Sequence, residues 1–124
     1  ASVSNSLIGD GCQIESAEIE SSLVGVRSVI GRGVVIRSSY VMGADYYEND
    51  EGRRSSRARG IPDIGIGDGT IIENAIVDKN ARVGSRVPIR NVEKRQNYED
   101  GRVVIRDGIV VVPRQAVIPD GYRL

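Results

Sequence analysis

The sequence predicts an all-β fold, a parallel β-helix wound from hexapeptide-type repeats. Aliphatic residues recur at Ile8, Ile14, Ile19, Val24, Ile30, Ile36 and Met42, at steps of six or five. A step of that size fits neither a helical period nor a simple alternating strand, but it fits a coil whose sides are short strands joined by turns. The apolar inventory agrees, because the chain has no Phe, no Trp and 15 Gly, and its only aromatics are 5 Tyr. A core without large aromatic anchors suits stacked ladders of β-branched residues.

In chain order, the first block of coils runs through Met42. Several aliphatics are followed by glycine, as in Ile8-Gly9, Val24-Gly25, Ile30-Gly31 and Met42-Gly43. That glycine is expected to take the bend in the left-handed region. Residues 44 to 63 then break the period. They begin acidic (Asp45, Glu48, Asp50, Glu51) and turn basic (Arg53, Arg54, Arg57, Arg59), an excursion loop with room for a short helical turn. The repeat resumes at Ile66-Gly67, Ile72, Val77, Val83-Gly84 and Ile89. Residues 90 to 101 form a second charged excursion, and Gly101 marks the return into Val103-Val104-Ile105. A weaker third instalment runs through Ile105, Val111 or Val112, and Ile118.

What is missing narrows the function. Lys+Arg and Asp+Glu both number 17, so no basic excess points to nucleic acid or a membrane surface. No apolar run has the length of a membrane span. A lone Cys12 excludes an internal disulfide and reads as a small buried hydrophobe. With no His, the chain cannot supply a three-His zinc site or a His general base. The glycine-rich pieces at Ile8-Gly9-Asp10-Gly11, Ile30-Gly31-Arg32-Gly33 and Ile66-Gly67-Asp68-Gly69 sit at repeat corners with no following helix, so they read as turns rather than phosphate loops. The start at Ala1-Ser2-Val3, already in repeat, reads as a piece of a longer protein.

Six stretches resemble one family. Val41-Met42-Gly43-Ala44-Asp45-Tyr46-Tyr47-Glu48 looks like the M-G-A-D-Y-Y-E motif of ADP-glucose pyrophosphorylases (glucose-1-phosphate adenylyltransferases). Ala75-Ile76-Val77-Asp78-Lys79-Asn80-Ala81-Arg82-Val83-Gly84 is similar to the family's A-I-I-D-K-N-A-R-I-G segment. Pro62-Asp63-Ile64-Gly65-Ile66-Gly67 is similar to P-I-G-I-G, with Asp63 inserted, and Val24-Gly25-Val26-Arg27-Ser28 to V-G-x-R-S. The closing Gly108-Ile109-Val110-Val111-Val112 and Ile118-Pro119-Asp120-Gly121 match the family's last strand and I-P-x-G ending. The resemblance covers nearly the whole chain and is closest to the cyanobacterial and plant type.

The resemblance implies a left-handed coil and the C-terminal regulatory and oligomerisation domain of the enzyme, spanning residues 1–124. The catalytic nucleotidyltransferase domain, with its Mg, ATP and glucose 1-phosphate, would lie outside this chain, which itself has no catalytic residues and no cofactor. Implied partners are that catalytic domain, sister subunits in a tetramer, and small phosphorylated metabolites such as 3-phosphoglycerate, fructose 1,6-bisphosphate or phosphate. The implied location is bacterial cytoplasm or a plant plastid. Two basic positions are implied to bind effectors: Lys79, beside Asp78, and Arg114, where the family carries Lys. Alone, each would read as a solvated charge. Arg27, Arg53 and Arg54 read as surface or interface charges, and Tyr46 and Tyr47 as packing or interface residues. The competing readings are a hexapeptide acyltransferase that lacks its usual His, and the β-helix domain of another sugar-phosphate nucleotidyltransferase.

Overall fold

The computed structural model describes residues 2–124. The chain winds through β1 (Ser2–Ser4), β2 (Leu7–Ile8), β3 (Gln13–Glu20), β4 (Leu23–Val24), β5 (Val29–Arg37) and β6 (Tyr40–Val41). After α1 (Asp50–Ala58) come β7 (Gly65–Ile66), β8 (Ile71–Glu73), β9 (Ala75–Val77), β10 (Arg82–Val83) and β11 (Pro88–Ile89). β12 (Asn97–Glu99), β13 (Val104–Arg106), β14 (Ile109–Val112) and β15 (Val117–Ile118) complete the chain.

Parallel pairing sorts the aliphatic residues into three inward columns. Val3, Ile19, Ile36, Ile72 and Ile89 stack on one face. Ile14, Ile30, Ile66, Val83 and Ile118 stack on the second. Ile8, Val24, Val41, Val77 and Val112 stack on the third. Pairing of Ile14 with Ile30 and Ile19 with Ile36 makes one turn 16 or 17 residues long. Every member beyond the first coil is buried, and each such side chain contributes roughly 1.5–3 kcal/mol. Val41, not Met42, is the inward residue of its coil, because the step from the first face to the third is five residues, as from Ile19 to Val24 and from Ile72 to Val77. Val112 points inward and Val111 outward.

A second inward position lies two residues before each aliphatic one and takes mostly small side chains, Ile64 being the large one. Ser22, Ser39, Ala75 and Val110 fill it on the third face, and all are buried. Its hydroxyls climb from coil to coil. Ser6 Oγ accepts from Ser22 N at 3.0 Å, Ser22 Oγ from Ser39 N at 3.1 Å, and Ser39 Oγ from Ala75 N at 3.2 Å. Thr70 Oγ1 likewise accepts from Val87 N at 3.1 Å. These hydroxyls satisfy backbone donors where the strands bend away from one another.

At Gly9, Gly25, Gly31, Gly67 and Gly84 the glycine beside the aliphatic residue is needed for space rather than for the left-handed region. A Cβ on Gly67 would lie 2.5 Å from the carbonyl carbon of Gly84 in the next coil. Positive φ falls two residues later, on Arg27, Asn80, Arg86 and Gln115 as well as on glycines. At these glycines the next coil approaches too closely for a Cβ to be added without a shift, while the bend itself is made further on. This corrects the role expected for Gly9, Gly25 and Gly31, while Gly43 takes the left-handed region as expected, with φ +91.

The first excursion holds α1, which Asn49 caps by accepting from Gly52 N at 2.7 Å. Asp50 and Glu51 in its first turn and Arg57 in its last complement the helix dipole. Glu48 binds the excursion to the coil. Its carboxylate meets Arg82 Nη2 at 2.9 Å and accepts from Ile64 N at 3.2 Å and Ser56 Oγ at 3.3 Å. Arg82 Nη1 also donates to Pro62 O at 2.9 Å. Tyr47 OH donates to Gly11 O at 2.5 Å, so one of the two motif tyrosines braces the excursion while Tyr46 stays exposed.

The second excursion is not a plain loop. β12 pairs antiparallel with β13, and β13 antiparallel with β14. Ile105 is buried as expected, but on a reversed strand rather than in a parallel coil. Gly101 makes the return with φ +85. Asp100 Oδ1 accepts from Arg102 N at 2.9 Å and Val103 N at 3.0 Å, and Oδ2 accepts from Tyr98 OH at 3.1 Å and from Tyr122 OH. Partial burial raises this carboxyl, but the four donors hold it down to about 2. The hairpin is thereby tied to the chain's last turn. Cys12 is half-buried against the core, and its Sγ donates to Gly25 O at 3.1 Å.

One outward column is apolar. Leu7, Leu23 and Tyr40 stack in register and continue into Ile76 and Val111. The first three are exposed, Leu7 at 71%.

Candidate functional site

Lys79 lies in the turn between β9 and β10, and Arg114 in the turn between β14 and β15. The register Val77↔Val112 continues past the strand ends, where Gln115 N donates to Lys79 O at 3.0 Å. Lys79 and Arg114 thus occupy the same place in successive coils, with backbones roughly 4.8 Å apart along the axis. The coil below extends the column, because Asn80 N donates to Gly43 O at 3.1 Å. That glycine opens the first excursion.

Asp45, two residues on, reaches both cations. Lys79 Nζ donates to its Oδ1 at 3.2 Å, and Arg114 Nη2 to its Oδ2 at 3.5 Å. Asn80 orients Asp45 from both sides, with Oδ1 accepting from Asp45 N at 2.9 Å and Nδ2 donating to Asp45 Oδ2 at 3.1 Å. Asn80 is buried and sits at φ +60, a conformation asparagine tolerates better than most residues. The hydrogen bonds from Asn80 and then Lys79, with the charges of Lys79 and Arg114, hold the Asp45 carboxyl below its usual range.

The two cations are open to solvent, Lys79 with 41% and Arg114 with 61% of its side chain exposed. A guanidinium fork beside an ammonium, one coil apart, is a chemistry that grips an oxyanion. Asp78 turns inward to the backbone instead, where its Oδ1 accepts from Lys79 N at 2.7 Å. It shapes the turn that presents Lys79. Arg27 Nε donates to Ala44 O at 2.8 Å and braces the start of the excursion, and Arg53 pairs with Asp50 on α1.

A groove of about 680 Å³ lies elsewhere, between the end of the first excursion and the corners of the second face. It is lined by Glu15, Asp63, Asp68 and Asp120 against Arg57, so its charge suits an anion poorly. The structure therefore brings Lys79 and Arg114 together, and adds Asp45 and Asn80, which sequence reasoning did not place in the site. The available signal was the M-G-A-D motif itself, but linking it to Lys79 requires the column that joins Gly43 to Lys79.

The family model for the GLGC left-handed parallel β-helix domain matches residues 1–122. The chain is also 42% identical, over 123 residues, to the chloroplastic/amyloplastic small subunit of glucose-1-phosphate adenylyltransferase from Triticum aestivum. That alignment covers 98% of this chain and 26% of the wheat protein, so the chain spans about a quarter of that relative's length. No helix among the described residues is long and apolar enough to cross a membrane. Three aliphatic columns, parallel register and the family match over nearly every residue agree, and the chain belongs to the GLGC left-handed parallel β-helix domain family.

Proposed function

We propose that this chain is the regulatory and assembly domain of a glucose-1-phosphate adenylyltransferase, and that it binds phosphorylated small molecules at Lys79 and Arg114. In this reading the catalytic domain that uses Mg and ATP, and that makes ADP-glucose, is joined to it. The observation that carries the reading is the stacking of two exposed cations at one corner in successive coils, at the turn where the family resemblance puts effector binding. Asp78 serves by shaping that turn. The chloroplastic/amyloplastic location of the wheat relative supports a plastid.

Titration with inorganic phosphate, followed by calorimetry or amide shifts, tests the site. Lys79→Ala is expected to weaken binding on the order of tenfold, the scale of one charge-assisted contact, and Lys79→Arg to recover much of it. Unchanged affinity in Lys79→Ala removes the residue from the site.

The assembly half of the reading draws on the exposed Leu7, Leu23 and Tyr40 column and on the open first coil, where Val3 and Ile8 stand exposed. Such surface is covered when a neighbouring domain or sister subunit packs against it. Sedimentation velocity is expected to show concentration-dependent self-association. A strict monomer at high concentration speaks against sister-subunit contacts through this surface.

A further inference from the structure

We propose that Asp45 is a resident competitor for the anion at Lys79 and Arg114, so that a phosphate binds by displacing it. The proposal rests on the reading that these two cations form an anion site, and it concerns what sets the affinity of that site.

Asp45 does what a bound oxyanion would do. Its two carboxylate oxygens are divided between the cations, Oδ1 to Lys79 at 3.2 Å and Oδ2 to Arg114 at 3.5 Å. Both distances are long for charge-assisted bonds, so the carboxylate spans the pair without gripping either member tightly. It is also half-exposed, with 41% of its side chain accessible. A tetrahedral dianion offers more oxygens and more charge to the same two donors, and the fork of Arg114 can then engage it bidentately. Two carboxylate contacts must be broken first.

Asn80 makes the competitor a built feature rather than a chance surface pair. Its buried side chain clamps Asp45 through the backbone N–H and through Oδ2. Of those two bonds, only the one to Oδ2 is lost when the carboxylate swings away. The backbone bond from Asp45 N stays, so Asp45 can leave the cations while the excursion remains attached. The excursion has two further anchors outside the site, at Tyr47 and at Glu48. The exchange is therefore local: one carboxylate out, one phosphate in, with Asn80 Nδ2 losing an acceptor.

Asp45→Asn keeps the size and the hydrogen bond from Asn80 but removes the charge. Inorganic phosphate is expected to bind the variant roughly tenfold more tightly, the order set by two half-exposed ion pairs that no longer compete. In the unaltered chain, saturation with phosphate is expected to shift the Asn80 side-chain amide resonances, and this shift should be much smaller in Asp45→Asn. Asp45→Glu, which keeps the charge, is expected to stay near the parent affinity. If Lys79→Ala weakens phosphate binding but Asp45→Asn leaves it unchanged or weaker, the competitor role is wrong and the anion site stands. If neither substitution alters binding, the anion site itself fails.

Discussion

Gly67→Ala is expected to destabilise the fold by about 2–3 kcal/mol, the upper part of the range for an overpacked site. The added Cβ would lie 2.5 Å from Gly84 C, 2.6 Å from Gly84 O and 2.7 Å from Ser85 N. These are backbone atoms of the next coil and cannot swing aside as a side chain would. Relief requires the two coils to part at this corner, where Gly67 N donates to Val83 O at 2.9 Å and Gly84 N to Ile118 O at 2.8 Å. Gly101→Ala makes the contrast. That glycine has open space around it but φ +85, so only backbone strain of about 1 kcal/mol is expected. Urea unfolding of both variants checks the order. A Gly67→Ala midpoint equal to the parent's would show that the corners are less tightly stacked than described.

Glu48→Ala is expected to cost about 3 kcal/mol, because it strands Arg82 and the amide of Ile64 in a poorly solvated place. Only 8% of the Glu48 side chain and 19% of the Arg82 side chain are exposed. Removing one member of such a pair leaves an uncompensated charge, whereas replacing both can be nearly neutral. Glu48→Leu combined with Arg82→Met is therefore expected to recover the part of the loss due to the buried charge, leaving the Ile64 amide without its acceptor. Part of the effect is local, since Glu48 ties the start of the excursion to Ser56 and Ile64. Arg53, Arg54, Arg57 and Arg59 make release visible, as trypsin should cut there much faster in Glu48→Ala. Equal cleavage and equal stability in the single variant would mean that the pair does not hold the excursion.

The coil was legible because β-branched residues at a fixed step have few other uses. Ile14, Ile30 and Ile66 fall into one column just as their spacing implies. Met42 fits a step of six from Ile36, but that side of the coil steps by five, as from Ile19 to Val24, and Val41 takes the inward place. Gly9, Gly25 and Gly31 lack a Cβ for space and Gly43 also for φ, a difference that sequence does not mark. The small inward position was overlooked because Ser22, Ser39 and Thr70 look like surface residues until the stacking shows their hydroxyls receiving backbone donors. The reversed strand at Val104–Arg106 carries no mark that separates it from a parallel one.

At the site, resemblance picked out Lys79 and Arg114, and the register explains why they belong together. Asp45 belongs to the Met42-Gly43-Ala44-Asp45 motif, which nothing in the sequence links to Lys79. The first residues of the excursion fold over the corner of the next coil, and only the coil alignment shows which corner that is. Charge counting gave no help, because the acids and bases of 44 to 63 look alike in composition whether they pair within the loop or outside it.

The column that holds Lys79 above Gly43 and below Arg114 also works as a ruler. Side chains on such a column cannot be placed at arbitrary separations, since their backbones advance by one strand spacing per coil, about 4.8 Å. Substituting Lys for Arg, or Arg for Lys, changes reach and grip but leaves the graduation untouched. To alter the interval itself the molecule would have to gain or lose a whole coil. A ligand that spans two adjacent marks is thus measured against the hydrogen-bond repeat of the backbone, the least mutable length the protein possesses.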